Sequence, residues 1–258
     1  MNPVNFHEDD LPIQDLETIG LAAGGQLLLN VDDLKALLSG RRTSLLELHD
    51  LETENIKIKS INAKISLKPN EKGKLDLLIH PIYKNAATPE FLNETEAQQL
   101  RKGEVANLLK ITLDNHGNKK EMLIEYDPET KEYIISDTQK ILAPDMVNNE
   151  FLTPAQKEQY RRGKEVQIAD GTRFSYSASD HHGVRSNKLA LVASILIDGG
   201  LSYMVHKGLN ALFNQKREQK AAEKLSPGYY QALKDIGNQH GFVPNQFNRS
   251  YTRSGSSR

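Results

Sequence analysis

The sequence predicts an α+β fold: repeated units of one short helix plus an antiparallel β-meander, followed by an apolar C-terminal helical segment. Three observations carry that prediction. A leucine, a capping residue and, eleven positions after the leucine, a glycine recur three times along the chain. Between these openings apolar and polar residues alternate, the period of a half-buried strand. Clusters of Asn, Asp, Gly and Pro separate the alternating runs, as tight turns require.

Taken in order, Pro12 opens a short helix whose apolar face is Leu11, Ile13, Leu16 and Ile19, and Gly20 stops it. After AAGGQ, the stretch LLLNVDDLKALLSG places Asn30 as an N-cap and Gly40 as a left-handed stop. Asp32 and Asp33 then sit at the positive end of the helix dipole. FLNETEAQQLRKG and FLTPAQKEQYRRG repeat this opening. Leu29, Leu92 and Leu152 precede Asn30, Asn93 and Thr153; Leu37, Leu100 and Tyr160 follow on the same face; Gly40, Gly103 and Gly163 close each helix. The copies lie 63 and 60 residues apart, a near-constant spacing that reads as an internal repeat.

Each glycine leads into strands. TSLLELHDL, NIKIKSINAKISLKP and KLDLLIHPIY follow Gly40, with a turn at NEKG. VANLLKITL, KEMLIEY and KEYIISD follow Gly103, with turns at DNHGN and DPET. KEVQIA and TRFSYSASDHHG follow Gly163 across a DG turn, a shorter copy. From Leu189 to Phe213, LALVASILIDGGLSYMVHKGLNALF is the most apolar part of the chain and is expected to form a buried helix or helical hairpin. The chain thus divides into a first unit (1–88), a second (89–148), a shortened third (149–186), an apolar then charged helical part (187–225) and a largely disordered basic tail (226–258).

Composition narrows the function. Apolar and charged contents of 38% and 26% in 258 residues fit a folded protein with a sizeable core. The net charge of −1 hides an asymmetry: residues 1–30 hold five acids and no Lys or Arg, while residues 207–258 hold nine Lys or Arg against three acids. A basic end lowers the electrostatic cost of meeting nucleic acid or an anionic surface. The absence of cysteine removes disulfides and thiolate chemistry and fits a reducing compartment. The opening MNPVNFHEDDLPIQDLE lacks the basic start and apolar run of a secretory signal, so the cytoplasm is expected. Peripheral or integral membrane association through Leu189 to Phe213 is the alternative, with Asp198 in its middle counting against a span.

No phosphate-cradling glycine loop, nucleophile elbow or SxxK pair is present, and no cofactor or metal is expected. Asp180, His181 and His182 form the one cluster suggestive of metal or acid–base work. Adjacent histidines are expected to point apart in an exposed turn, so the cluster is read as loop. The basic pairs beside the helix stops are the better candidates for contact with a partner: Arg41 and Arg42, Arg101 and Lys102, Arg161 and Arg162. Cations there complement the helix dipole; arginine forks also suit phosphates. Arg249 and Arg253, interleaved with Phe247 and Tyr251, offer a second such surface.

The runs LPIQDLETIGL, LKALLSGRRTSLLEL, GKLDLLIHPIY, EYDPETKEY and FLTPAQKEQYRRGKEV together resemble domain-of-unknown-function proteins carried by conjugative and other mobile elements of Bacteroidetes. The resemblance spans about residues 11–185. It implies a bacterial cytoplasm and a setting of DNA transfer, and it brings no catalytic residue. The expected function is a non-enzymatic binding or scaffold module whose partner is nucleic acid or another element-encoded protein. A membrane-associated accessory protein anchored by Leu189 to Phe213 is one alternative, and an enzyme acting around Asp180–His182 is another. The same apolar segment is also a candidate contact between copies of the chain.

Overall fold

Helices begin where a side chain caps them. The Asn30 side chain accepts the Asp33 N–H at 2.8 Å, and α2 (Val31–Leu38) starts behind it. Before it lie α1 (Ile13–Thr18) and a two-residue hairpin of β1 (Ala22–Ala23) and β2 (Gln26–Leu27). Asn93 and Glu96 exchange hydrogen bonds at the start of α3 (Glu94–Lys102), and Thr153 and Gln156 do so at the start of α4 (Pro154–Arg161). Gly40, Gly103 and Gly163 end these three helices with φ of 67°, 70° and 67°. At α4 the Lys164 N–H reaches back to Gln159 O at 2.9 Å, satisfying a carbonyl the helix leaves over. The computed structural model describes residues 6–53, 56–114, 116–188, 191–197, 200–207 and Ala232.

The alternating runs form antiparallel sheets. β3 (Leu46–Thr53), β4 (Ile56–Pro69) and β5 (Leu75–Pro81) pair in that order, with Leu46 opposite Ala63 and Ile65 opposite Ile79. β6 (Leu108–Leu113), β7 (Lys119–Asp127) and β8 (Glu132–Asp137) form the next three-stranded sheet. Then come β9 (Met146–Val147), β10 (Glu150–Phe151), β11 (Val166–Gln167), β12 (Arg173–Tyr176) and β13 (Val184–Ser186), the last three a small sheet in chain order. Mixed helices and antiparallel sheets make the fold α+β, as the sequence predicts.

Two compact units result, each with its own core. One comprises residues 6–102 and the hairpin tip Tyr126–Ile134. Leu16, Leu34 and Leu37 of its helices pack with Leu48, Ala63 and Ile65 of β3 and β4. The other comprises Gly103–Glu125 and the described residues from 135 to 207. Its core gathers Leu123, Val147, Leu152, Tyr160, Phe174, Val184 and Leu191.

The apolar segment from Leu189 to Phe213 departs from expectation. Its described residues are two antiparallel strands, β14 (Leu191–Ile197) and β15 (Gly200–Lys207), not a helix. β14 also pairs with β9, giving a four-stranded sheet in the order β10, β9, β14, β15. The cause is the partner edge supplied by β9: Asn148, beside it, accepts the Val192 N–H at 3.0 Å and donates its own N–H to Val192 O at 2.9 Å. Leu191 and Ala193 enter the core of that unit. A run buried on both faces has no polar stripe in either conformation, so its period does not separate strand from helix. Among the described residues no helix is long and apolar enough to cross a membrane. The expected charged helix at 214–225 and the basic tail, with Arg249 and Arg253, lie outside the described residues.

Candidate functional site

The basic residues flagged by the sequence do not present an array of unengaged cations. Arg42 donates to Glu132 at 2.6 Å with only 12% of its side chain exposed. Arg101 pairs with Glu94 at 2.6 Å within α3. Arg162 forks onto Glu121, its Nε and Nη2 at 2.9 and 3.1 Å from the two carboxylate oxygens, and also lies 3.1 Å from Glu158. Arg161 is 3.7 Å from the same Glu158. The peptide N–H of Arg41 bonds to Ala36 O at the end of α2, and Lys102 closes α3 on the surface. Arginine forks satisfied by carboxylates must break those pairs before binding phosphate.

In the unit of residues 6–102 and Tyr126–Ile134, a chain of charges runs along one side of β4 and β5. Lys64 Nζ lies 2.8 Å from both Asp127 and Glu129. Asp127 also accepts the Glu129 N–H at 3.0 Å, so DPET is a turn built on a buried carboxylate. His80 Nε2 lies 2.9 Å from Ser66 Oγ and its Nδ1 lies 3.5 Å from Glu132. Burial, helped by the Arg42 charge and opposed by Glu132, pushes the imidazole down to about 4. His80 is therefore neutral at pH 7, and its contact with Glu132 is not an ion pair. An open cleft of about 600 Å³ in this unit is lined by Asp9, Asp10, Asp15, Asp76, Asn70 and Lys74 among others.

In the other unit, the loop between β12 and β13 is bonded to a buried carboxylate. Glu125 accepts the Ala178 N–H at 2.8 Å, Ser177 Oγ at 3.1 Å and Arg185 Nη2 at 3.0 Å. Burial raises its carboxyl above the usual range, opposed by the Ala178 N–H and the Arg185 charge. The loop also contains Asp180, His181 and His182, and here the structure corrects the sequence expectation. The imidazoles do not point apart: their ring centroids are 3.8 Å apart with planes tilted by 43°. Asp180 Oδ1 lies 3.2 Å from His182 Nδ1 and 3.9 Å from His181 Nδ1. The three side chains are half-buried rather than exposed. The local turn is the reason, with Asp180 Oδ1 accepting the His182 N–H at 2.9 Å and Gly183 at φ 74°.

The same unit carries an apolar edge the sequence reading did not single out. β6 has a neighbour on one side only among the described residues, β7. Its outward residues are Leu109, Ile111 and Leu113, the last two 64% and 68% exposed. Register places Ile111 opposite Glu121 and Leu109 opposite Leu123. The signal was present in LLKITL, where Leu109, Ile111 and Leu113 alternate with Lys110 and Thr112, and the apolar set is the more exposed one.

Residues 6–90 match the model of a family described as "Protein of unknown function (DUF4099)". This supports a domain-of-unknown-function family for that third of the chain, within the unit that holds α1, α2 and the β3–β5 sheet. Neither the curated proteins nor the solved structures contain a match to the chain.

Proposed function

We propose that the chain is a non-enzymatic binding module whose partner is a protein, acting as a scaffold or accessory component of a bacterial mobile element in the cytoplasm. The observation that carries this reading is β6. An edge strand with alternate exposed apolar side chains offers main-chain pairing and side-chain recognition at once, the mode by which an extended segment of another protein adds to a sheet. The ion pairs of Arg42, Arg101, Arg161 and Arg162 favour protein over nucleic acid as the partner. The mobile-element setting rests on the resemblance alone. The three helix-plus-sheet segments, spaced 63 and 60 residues apart, are taken as copies of one ancestral unit.

The test is capture of partners from the native bacterial lysate by the intact protein and by its Ile111→Lys and Leu113→Lys variants, with and without nuclease and at rising salt. The reading expects a protein retained by the wild type, lost from both variants and indifferent to nuclease. Retention that is equal in the variants overturns it. Retention abolished by nuclease and falling steeply with salt assigns the partner to nucleic acid instead. Sedimentation with membranes that deletion of Leu189 to Phe213 abolishes assigns the anchored reading.

A further inference from the structure

We propose that Asp180, His181 and His182 form a binding site for a borderline divalent cation of the zinc class. One ligand atom from each of the three residues lies within 4.8 Å of the others. Bonds of 2.0–2.1 Å in a tetrahedral site put neighbouring ligand atoms about 3.4 Å apart. The contacts from Asp180 Oδ1 to the two Nδ1 atoms, 3.2 and 3.9 Å, bracket that separation. The three ligand atoms thus already stand at separations close to those a bound ion would set.

The loop that carries these ligands is held in place beforehand. Gly183 O accepts both the Tyr160 hydroxyl at 2.9 Å and the Ser177 N–H at 3.1 Å, and the Gly183 N–H bonds to Asp180 O at 2.7 Å. On the other side, the Ala178 N–H and the Ser177 and Ser179 hydroxyls reach Glu125. The entropy of ordering the loop has therefore been met in folding, which leaves more of the metal–ligand energy for affinity. Side-chain exposures of 25%, 30% and 16% for Asp180, His181 and His182 shelter the ligands while leaving a way in.

The donor set selects the ion. Two imidazoles and one carboxylate suit zinc, cobalt, nickel or copper, whereas magnesium and calcium demand oxygen shells. Three protein ligands also leave a coordination position for water or an outside donor, the arrangement of an open rather than a closed structural site. The site is independent of the β6 edge, and its loss leaves the protein-binding reading standing.

The experiment is calorimetric titration of the chelator-treated full-length protein with Zn2+ and separately with Mg2+, together with Co2+ absorption spectra. Wild-type protein is expected to bind one Zn2+ and to give the visible bands of low-coordinate Co2+, with no saturable uptake of Mg2+. His181→Ala, His182→Ala and Asp180→Asn each weaken Zn2+ binding by at least about tenfold, as even outer partners of ligands do, while His116→Ala leaves it unchanged. Far-UV circular dichroism verifies that each variant is folded, and His→Gln variants replace any that is not. As a variant-free readout, Zn2+ shifts the side-chain nitrogen resonances of two histidines adjacent in sequence. Absence of saturable Zn2+ binding at millimolar concentration, or equal affinity in the His181→Ala/His182→Ala double variant, overturns the proposal.

Discussion

Lys64 on β4 and Asp127 at the tip of the β7–β8 hairpin stand 2.8 Å apart with 1% and 0% of their side chains exposed. A lysine enclosed to this degree is tolerable only because a carboxylate faces it, and the pairing ties residues 63 positions apart. Removing one partner leaves the other as an uncompensated buried charge. Lys64→Ala is therefore expected to lower the unfolding free energy by about 3–5 kcal/mol, measured by urea denaturation. The double variant Lys64→Met/Asp127→Asn, which keeps an amide oxygen for the Glu129 N–H, should lose less than Lys64→Ala alone, since no charge is stranded in it. A double variant as unstable as the sum of its singles would show that the two side chains act separately.

His80 makes the same unit sensitive to acid. Its folded-state value of about 4 lies below the ordinary 6.5, so the unfolded chain takes up the proton first. Stability is therefore full above about pH 6.5 and falls as pH drops from there toward 4, by up to about 3 kcal/mol. His80→Gln, which keeps a polar partner for Ser66 Oγ, should flatten the fall over that window. Urea midpoints at pH 7, 6, 5 and 4 for both proteins check it, and parallel curves would remove His80 as the cause.

What could be read from sequence, and what could not, follows the range of the interactions. Asn30, Thr153, Gly40 and Gly163 were legible because caps and stops act over a few residues. The Lys64–Asp127 and Glu125–Ala178 contacts join residues 63 and 53 apart, and nothing in either local sequence marks them. Strand β14 stands where the sequence predicts helix because burial on both faces erases the period. Its β-branched Val192, Ile195 and Ile197 and the Asp198-Gly199-Gly200 turn signal were the available cues. At the candidate site, residue types were legible but directions were not. Adjacency alone cannot tell that the turn at Asp180 brings the His181 and His182 rings together.

Glu125 is the fixed point of the β12–β13 loop. Its Oε1 accepts the Ala178 N–H at 2.8 Å, and Oε2 accepts Ser177 Oγ and Arg185 Nη2. Glu125→Ala leaves the buried Ala178 N–H without its acceptor and the Ser177 hydroxyl with Ser179 Oγ as its remaining partner, with an expected loss of about 1–3 kcal/mol. Hydrogen exchange at the Ala178 amide should accelerate markedly, while the amides of β4 keep their protection. An unchanged Ala178 rate would mean the loop is held by Tyr160 and Gly183 alone.

Gly163 and Gly103 end two helices with nearly the same backbone, φ 67° and 70°, yet their surroundings differ. A Cβ added at Gly103 meets nothing within 4 Å, so Gly103→Ala feels only the strain of the left-handed region, about 1–2 kcal/mol. A Cβ at Gly163 would lie 2.6 Å from Asn107 Nδ2 and 2.8 Å from Leu123 Cδ1. Asn107 donates to Gly163 O at 2.9 Å, and Leu123 belongs to the core, so neither can withdraw without loss. Overpacking of this kind adds about 1–3 kcal/mol to the same strain. Gly163→Ala is thus expected to destabilise its unit by about 2–5 kcal/mol in urea denaturation, clearly more than Gly103→Ala destabilises the protein. Truncating the obstruction with Asn107→Ala should recover part of that difference in the Gly163→Ala background and none of the loss in the Gly103→Ala background. Equal destabilisation by the two glycine variants would mean that backbone strain alone sets the cost and that the approach of β7 to the end of α4 is not close-packed.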